Sequence, residues 1–214
     1  MHPLSRERTA LIVVDMQNGF CSPEGSLTRM GKDTTMCVAA VAPCRRLVDA
    51  AHGADVPVIY TRMVYRADYA DRGLMPHEIR PALKDLKACV DGTWDAELVP
   101  DFVPEARDHV FDKNRPSAFY NCGMESALRA LDVKTLVICG VTTNICVEST
   151  VRDAGQRDYR TFVVADATGE LEQARHDAAL KSMAYFFAHV VTVDAVVTAW
   201  TGAGGDQGQV MAGP

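Results

Sequence analysis

Three residues whose types suit catalysis stand at the ends of stretches that read as strands. Thr9–Asp15 (TALIVVD) closes on a carboxylate and His109–Lys113 (HVFDK) closes on an ammonium. Thr135–Asp153 (TLVICGVTTNICVESTVRD) begins as a buried strand, turns at Gly140, and carries Cys146 just beyond. An acid, a cation and a thiol form a sensible set for nucleophilic attack on a carbonyl. The carboxylate can take the thiol proton, and the ammonium can hold the carboxylate ionised. Asn144 reads as an N-cap, with Val147, Val151 and Ala154 following at helical spacing, so Cys146 falls in a first helical turn. The positive end of a helix and its free N–H groups lower a thiol pKa and can bind a developing oxyanion.

Each residue also has a plain structural use. A lone cysteine is commonly a small buried hydrophobe. A carboxylate after a strand can cap the next loop, and a lysine at a strand end can be a solvated edge residue. A lysine that points inward needs a carboxylate partner, because lysine is almost never buried unpaired. Taken one at a time, the three residues leave both uses open.

The elements that must position them alternate strand and helix along the chain. After Thr9–Asp15 comes a loop over Gln17–Lys32, and then a helical period over Thr34–His52 that stops at Gly53. Pro57–Arg62 (PVIYTR) is the next strand. Val64–Pro104 is a long mixed connection with one short helix near Pro81–Ala88, either a pocket wall or lid or a surface excursion. Beyond His109–Lys113 the pattern predicts a helix over Met124–Leu131, then the Cys146 unit. A strand over Arg160–Ala165, a helix over Leu171–Phe187, a strand over Val190–Val193 and a helix over Ala195–Trp200 complete it. This order predicts an α/β fold: three layers, α/β/α, around a doubly wound, mostly parallel six-stranded sheet with right-handed crossovers. In such a sheet the strand ends carrying Asp15, Lys113 and Cys146 share one edge and can converge.

Composition narrows the function. A chain of 214 residues, 48% hydrophobic, can bury a full core; the expected division is one domain over 1–200 and a Gly-rich tail over 201–214. No apolar run has the length of a membrane span, and Met1–Thr9 has no apolar leader core. Seven cysteines without a C-x-x-C pair or zinc spacing read as reduced thiols of a cytoplasmic protein. A net charge of −6 with no basic tract argues against nucleic acid as a partner. G-x-S-x-G, Walker A and G-x-G-x-x-G motifs are all absent from the sequence.

Three segments together, ALIVVDMQNGF, VFDKNRPSAF and VICGVTTNICVESTVRDA, resemble the isochorismatase-like cysteine hydrolases in order and spacing. The resemblance runs from about Ala10 to the helix near Trp200. It implies Cys146 as nucleophile, Asp15 as general base and acid, and Lys113 as the third member of an Asp-Lys-Cys triad. It also implies a cis peptide between Val141 and Thr142, which turns the Thr142 N–H toward the Cys146 N–H to form an oxyanion hole. The implied reaction is hydrolysis of a C–N bond through a thioester on Cys146, with release of ammonia and without a cofactor or metal. Homo-oligomers, dimers or tetramers, are usual in the family.

Substrate class follows less directly. Isochorismatases proper cleave an enol ether and need no nucleophile at the Cys146 position, so a retained cysteine favours C–N cleavage. Zinc-dependent nicotinamidases of the family bind the metal through an acid and histidines just after the second strand. Here that region, TRMVYRADYAD, has no histidine. KNRPSAF resembles the N-carbamoylsarcosine amidohydrolases, and GTWDAELV with NICVESTVRD resembles the ureidoacrylate amidohydrolases. The expected activity is therefore cleavage of a small carbamoyl, ureido or carboxamide substrate. The alternatives are enol-ether hydrolysis and a non-catalytic small-molecule-binding role. Phe20, Arg62, Tyr65, Trp94 and Phe119 are the candidate pocket residues, with Arg62 or Arg66 as partner for a substrate anion. Arg152 reads as an ion-pair partner for acids on its own helix.

Overall fold

The computed structural model describes residues 4–202, and the predicted tail lies outside them beyond Gly202. Six strands form one parallel sheet in the order β3-β2-β1-β4-β5-β6. They are β1 (Thr9–Val14), β2 (Val58–Met63), β3 (His109–Lys113), β4 (Thr135–Val141), β5 (Arg160–Gly169) and β6 (His189–Val191). Every residue of β1 and β4 is buried, as expected of strands covered on both faces.

The first crossover holds two one-turn helices, α1 (Asn18–Cys21) and α2 (Ser26–Arg29), then α3 (Thr35–Ala39) and α4 (Val41–Gly53). The second holds one turn of α-helix, α5 (Ala82–Asp85), between a π-helical turn over Met75–Ile79 and a 3-10 turn over Trp94–Ala96. Further along come α6 (Met124–Ala130), α7 (Glu148–Gly155), α8 (Gln173–Phe186) and α9 (Val193–Thr201). Alternation along the strands splits the core in two. Leu11, Val13, Tyr60 and Phe162 pack against Leu47 and Val48 of α4 and Val196 and Trp200 of α9. Ile12, Ile59, Leu136 and Ile138 face Leu128 of α6, Val151 of α7 and Met183 of α8. A fully buried Leu or Ile of this kind contributes on the order of 1.5–3 kcal/mol.

Several boundaries differ from those read in the sequence, each for a local reason. The helix expected over Thr34–His52 is two helices that meet at Ala40. Pro43 has no N–H to donate and its ring crowds the carbonyl four residues back, at Ala39, where α3 ends. The loop expected over Gln17–Lys32 contains α1 and α2, too short to show a periodicity. β5 runs on to Gly169 because a register shift lets Gly140 pair with Thr168 after Ile138 has paired with Val163. Thr192 ends β6 early, and its hydroxyl accepts the Ala195 N–H to cap α9.

The strand order reverses between β1 and β4, so a crevice opens there at the carboxyl ends of the strands. β4 does not turn at Gly140; it continues through it to Val141. Gly140 has φ +113°, and a Cβ there would stand 2.1 Å from the Val14 carbonyl oxygen. Only glycine lets the two strands approach so closely at the point where Asp15 and the Cys146 segment leave the sheet.

Candidate active site

Asp15 follows β1 directly, with a left-handed φ of +52° that few non-glycine residues adopt. Its N–H donates to the Thr61 carbonyl at 3.0 Å, and its own carbonyl accepts the Gln17 N–H at 2.7 Å. Both carboxylate oxygens are engaged. The Thr61 hydroxyl donates to Oδ1 at 2.8 Å, and Lys113 Nζ donates to Oδ2 at 2.7 Å. The two charged side chains are fully buried. The register Met63↔Lys113 and Val14↔Thr61 puts the ends of β1, β2 and β3 level, which makes this contact possible. Lys113 Nζ also donates to the Arg115 carbonyl at 3.2 Å.

Cys146 arrives from the other side of the crevice. The Val141–Thr142 peptide is cis. A single π-helical turn, Thr143–Val147, follows it and leads into α7. Asn144 is not the expected N-cap: Thr142 occupies that place with extended backbone and without a side-chain capping bond. Ile145 and Val147 both donate their N–H groups to the Thr142 carbonyl, at 3.2 Å each, which sets the wide turn. The Thr150 hydroxyl, one turn on, donates to the Cys146 carbonyl at 2.7 Å and accepts the Ala118 N–H at 3.1 Å. The turn that carries Cys146 is thus tied to the loop that follows Lys113.

The Cys146 thiol interacts with both members of the ion pair. Its pKa is raised, not lowered as a helix N-terminus alone suggests. Burial is the main cause and the Asp15 carboxylate adds to it, while the Lys113 ammonium opposes. Burial also works against the Lys113 charge, but Asp15 and Cys146 outweigh it and hold the ammonium above its ordinary value. Burial therefore favours the neutral thiol of Cys146 over the thiolate. Below a raised thiol pKa the thiolate fraction grows about tenfold per pH unit. Alkylation of Cys146 by iodoacetamide is accordingly expected to accelerate from pH 7 to 9 without a plateau. A rate that levels off near pH 7, followed by mass spectrometry of the labelled peptide, would show a preformed thiolate instead.

A family model for an isochorismatase domain matches residues 9–195. The chain belongs to the isochorismatase family. A ureidoacrylate amidohydrolase, RutB, of Methylobacterium radiotolerans is 39% identical over 203 residues, which span 89% of this chain and 79% of that protein. A cysteine hydrolase from Pseudomonas syringae superposes with a TM-score of 0.84 at 32% identity, covering 95% of this chain and 96% of that one. An N-carbamoylsarcosine amidase from Thermoplasma acidophilum superposes with a TM-score of 0.71 at 28% identity, covering 87% and 96%.

This isochorismatase-family site gathers some of the expected pocket residues and not others. Tyr65 and Phe119 are buried in the same apolar cluster as Cys146, and Phe20 borders it. Trp94 stands 45% exposed in the long connection. Arg62 is turned away: next to Thr61 on β2, it points to the opposite face and forms a two-pronged ion pair with Asp112 at 2.7 and 2.9 Å. Arg66 is held by Asp68 at 3.0 Å. Arg152 pairs with Glu148 on its own helix. The later part of the long connection is pinned to the first crossover by buried polar side chains. Gln17 bonds the Met63 and Ala96 backbones, and Asp95 accepts the Ser26 and Cys89 N–H groups. Among the described residues no group of three or more His, Cys, Asp or Glu side chains is arranged to hold a metal ion.

Proposed function

We propose that this isochorismatase-family chain is a cysteine-dependent amidohydrolase acting on a small carbamoyl, ureido or carboxamide substrate. The observation that carries the reading is the buried Asp15–Lys113 pair set against Cys146 at the reversal point of the sheet. The ureidoacrylate and N-carbamoylsarcosine relatives supply the substrate class. In the reaction, Asp15 takes the thiol proton while Cys146 Sγ bonds to the carbonyl carbon. The N–H groups of Thr142 and Cys146 receive the oxyanion. Asp15 returns the proton to the leaving nitrogen, the C–N bond breaks, ammonia departs and a thioester remains. Water deprotonated by Asp15 then attacks; the new C–O bond forms as the C–S bond breaks, and the thiol is restored. Lys113 stays charged throughout and holds the carboxylate in place.

Ammonia release from a panel of ureido acids, N-carbamoyl amino acids and plain carboxamides tests this reading. Turnover of isochorismate with no ammonia from any member of the panel would replace it with enol-ether cleavage. Asp15→Asn is expected to cut kcat by roughly 10²–10⁴-fold, the usual worth of a general base. Full activity in that variant would remove Asp15 from the proton-transfer role.

A further inference from the structure

Glu170 is a buried carboxylate that the steps above leave without a part. It follows β5 directly, and its side chain is only 1% exposed. One oxygen accepts the Asn144 N–H at 3.0 Å, and the other accepts the Leu171 N–H at 2.9 Å. Arg175 approaches it at 3.8 Å, too far for a hydrogen bond. Asn144 is the second residue of the π-helical turn that presents Cys146. The preceding residue is held from the same strand end: the Thr143 hydroxyl donates to the Gly169 carbonyl at 3.0 Å and lies 2.9 Å from His176 Nδ1. Both contacts are satisfied together when Nδ1 carries a proton and donates to the hydroxyl. The strand end packs closely on α3. A Cβ on Gly169 would meet the Met36 carbonyl oxygen at 2.5 Å and Cys37 Cα at 2.7 Å in α3.

A carboxylate is a costly group to bury merely to satisfy two backbone N–H groups, one of them its own neighbour's, and its bond to the Asn144 N–H is about twice as strong as a neutral one. It grips the turn between the two amides that are read as oxyanion donors. We propose that Glu170 is a positioning residue for the oxyanion hole: by fixing the Asn144 amide against the end of β5 it holds the Thr142 and Cys146 N–H groups in register with the reacting carbonyl. This inference rests on the thioester reading of the site. It separates two reactions of the same sulfur. Amide hydrolysis passes through an oxyanion, whereas alkylation by iodoacetamide displaces iodide at carbon and forms none.

The test compares turnover of a ureido acid with alkylation of Cys146 in full-length Glu170→Met, which keeps the volume and removes both acceptors, and Glu170→Gln, which keeps one. In Glu170→Met, kcat should fall about 10- to 100-fold, the effect of misplacing oxyanion donors, with KM and the alkylation rate near wild type. Glu170→Gln should recover most of the loss, since its amide oxygen can still accept the Asn144 N–H. Should the apolar variant not fold, Glu170→Asp makes the same comparison, because its shorter side chain withdraws the acceptor while keeping the charge. Equal losses of turnover and alkylation, or unaltered turnover in Glu170→Met or Glu170→Asp, would overturn the proposal. Failure of the underlying reading shows separately, as turnover that survives Cys146→Ala.

Discussion

Cys146→Ala is expected to lower turnover by at least about 10³-fold, since removal of a nucleophile leaves only the catalysis supplied by binding and the oxyanion donors. The fold should survive. Cys146 lies at the start of a helical segment among Val147 and Val151, and losing one sulfur there is a small cavity of the kind that costs about 1 kcal/mol. Cys146→Ser makes a sharper comparison, because its hydroxyl can occupy the same place beside Asp15 and Lys113. It should also be inactive, since the hydroxyl is harder still to deprotonate than a thiol already raised by burial. Circular dichroism and thermal melting would confirm the fold, and ammonia release would measure the chemistry. An alanine variant that keeps a tenth of wild-type activity or more would exclude a thioester and point to direct attack by water or to enol-ether cleavage.

The three chemical residues were legible in the sequence because each sits at a strand end or, for Cys146, in the turn just beyond one, and strand ends in a doubly wound sheet share an edge. Their convergence then follows from topology, and Lys113 inside the crevice required a carboxylate, which Asp15 provides at 2.7 Å. What the sequence did not show is how side chains are shared out once the strands are paired. Arg62 and Thr61 are neighbours in the chain, and the arginine is the more obvious candidate. Pairing in register with Asp112 holds the arginine on the opposite face, while the threonine hydroxyl is the group that reaches Asp15. A clue was present in PVIYTR, where a polar residue interrupts an apolar run, but period-two alternation alone does not say which face carries the site. The π-helical turn was hidden for another reason. Asn144 and the apolar spacing after it suit an ordinary capped helix, and the wider turn depends on the Thr142 carbonyl and on Glu170, just past the end of β5. Burial had a similar effect on the thiol: proximity to a helix start argues for a low pKa, and desolvation reverses the sign. Pro43, by contrast, was a readable signal that a helix starts close by.

Lys113→Met is expected to be the most destabilising single change at the site and to abolish activity as well. The lysine and Asp15 are both fully buried, so the variant strands a carboxylate with only two neutral partners, the Thr61 hydroxyl and the Cys146 thiol. Removing one member of a buried pair typically costs about 3–5 kcal/mol, because the other keeps its desolvation penalty and loses its compensation. In a domain of this size that corresponds to a fall in Tm on the order of 10 °C. The double variant Asp15→Asn/Lys113→Met removes both charges, keeps at position 15 a residue type that tolerates its left-handed φ, and should regain much of the lost stability. It should remain inactive, as no base is left to take the Cys146 proton. Equilibrium denaturation in urea measures both variants on one scale. If Lys113→Met melts with the wild type, the lysine is not a buried partner of Asp15 in solution. If the double variant is no more stable than the single one, the cost arises from packing around the lysine stem and not from the stranded charge.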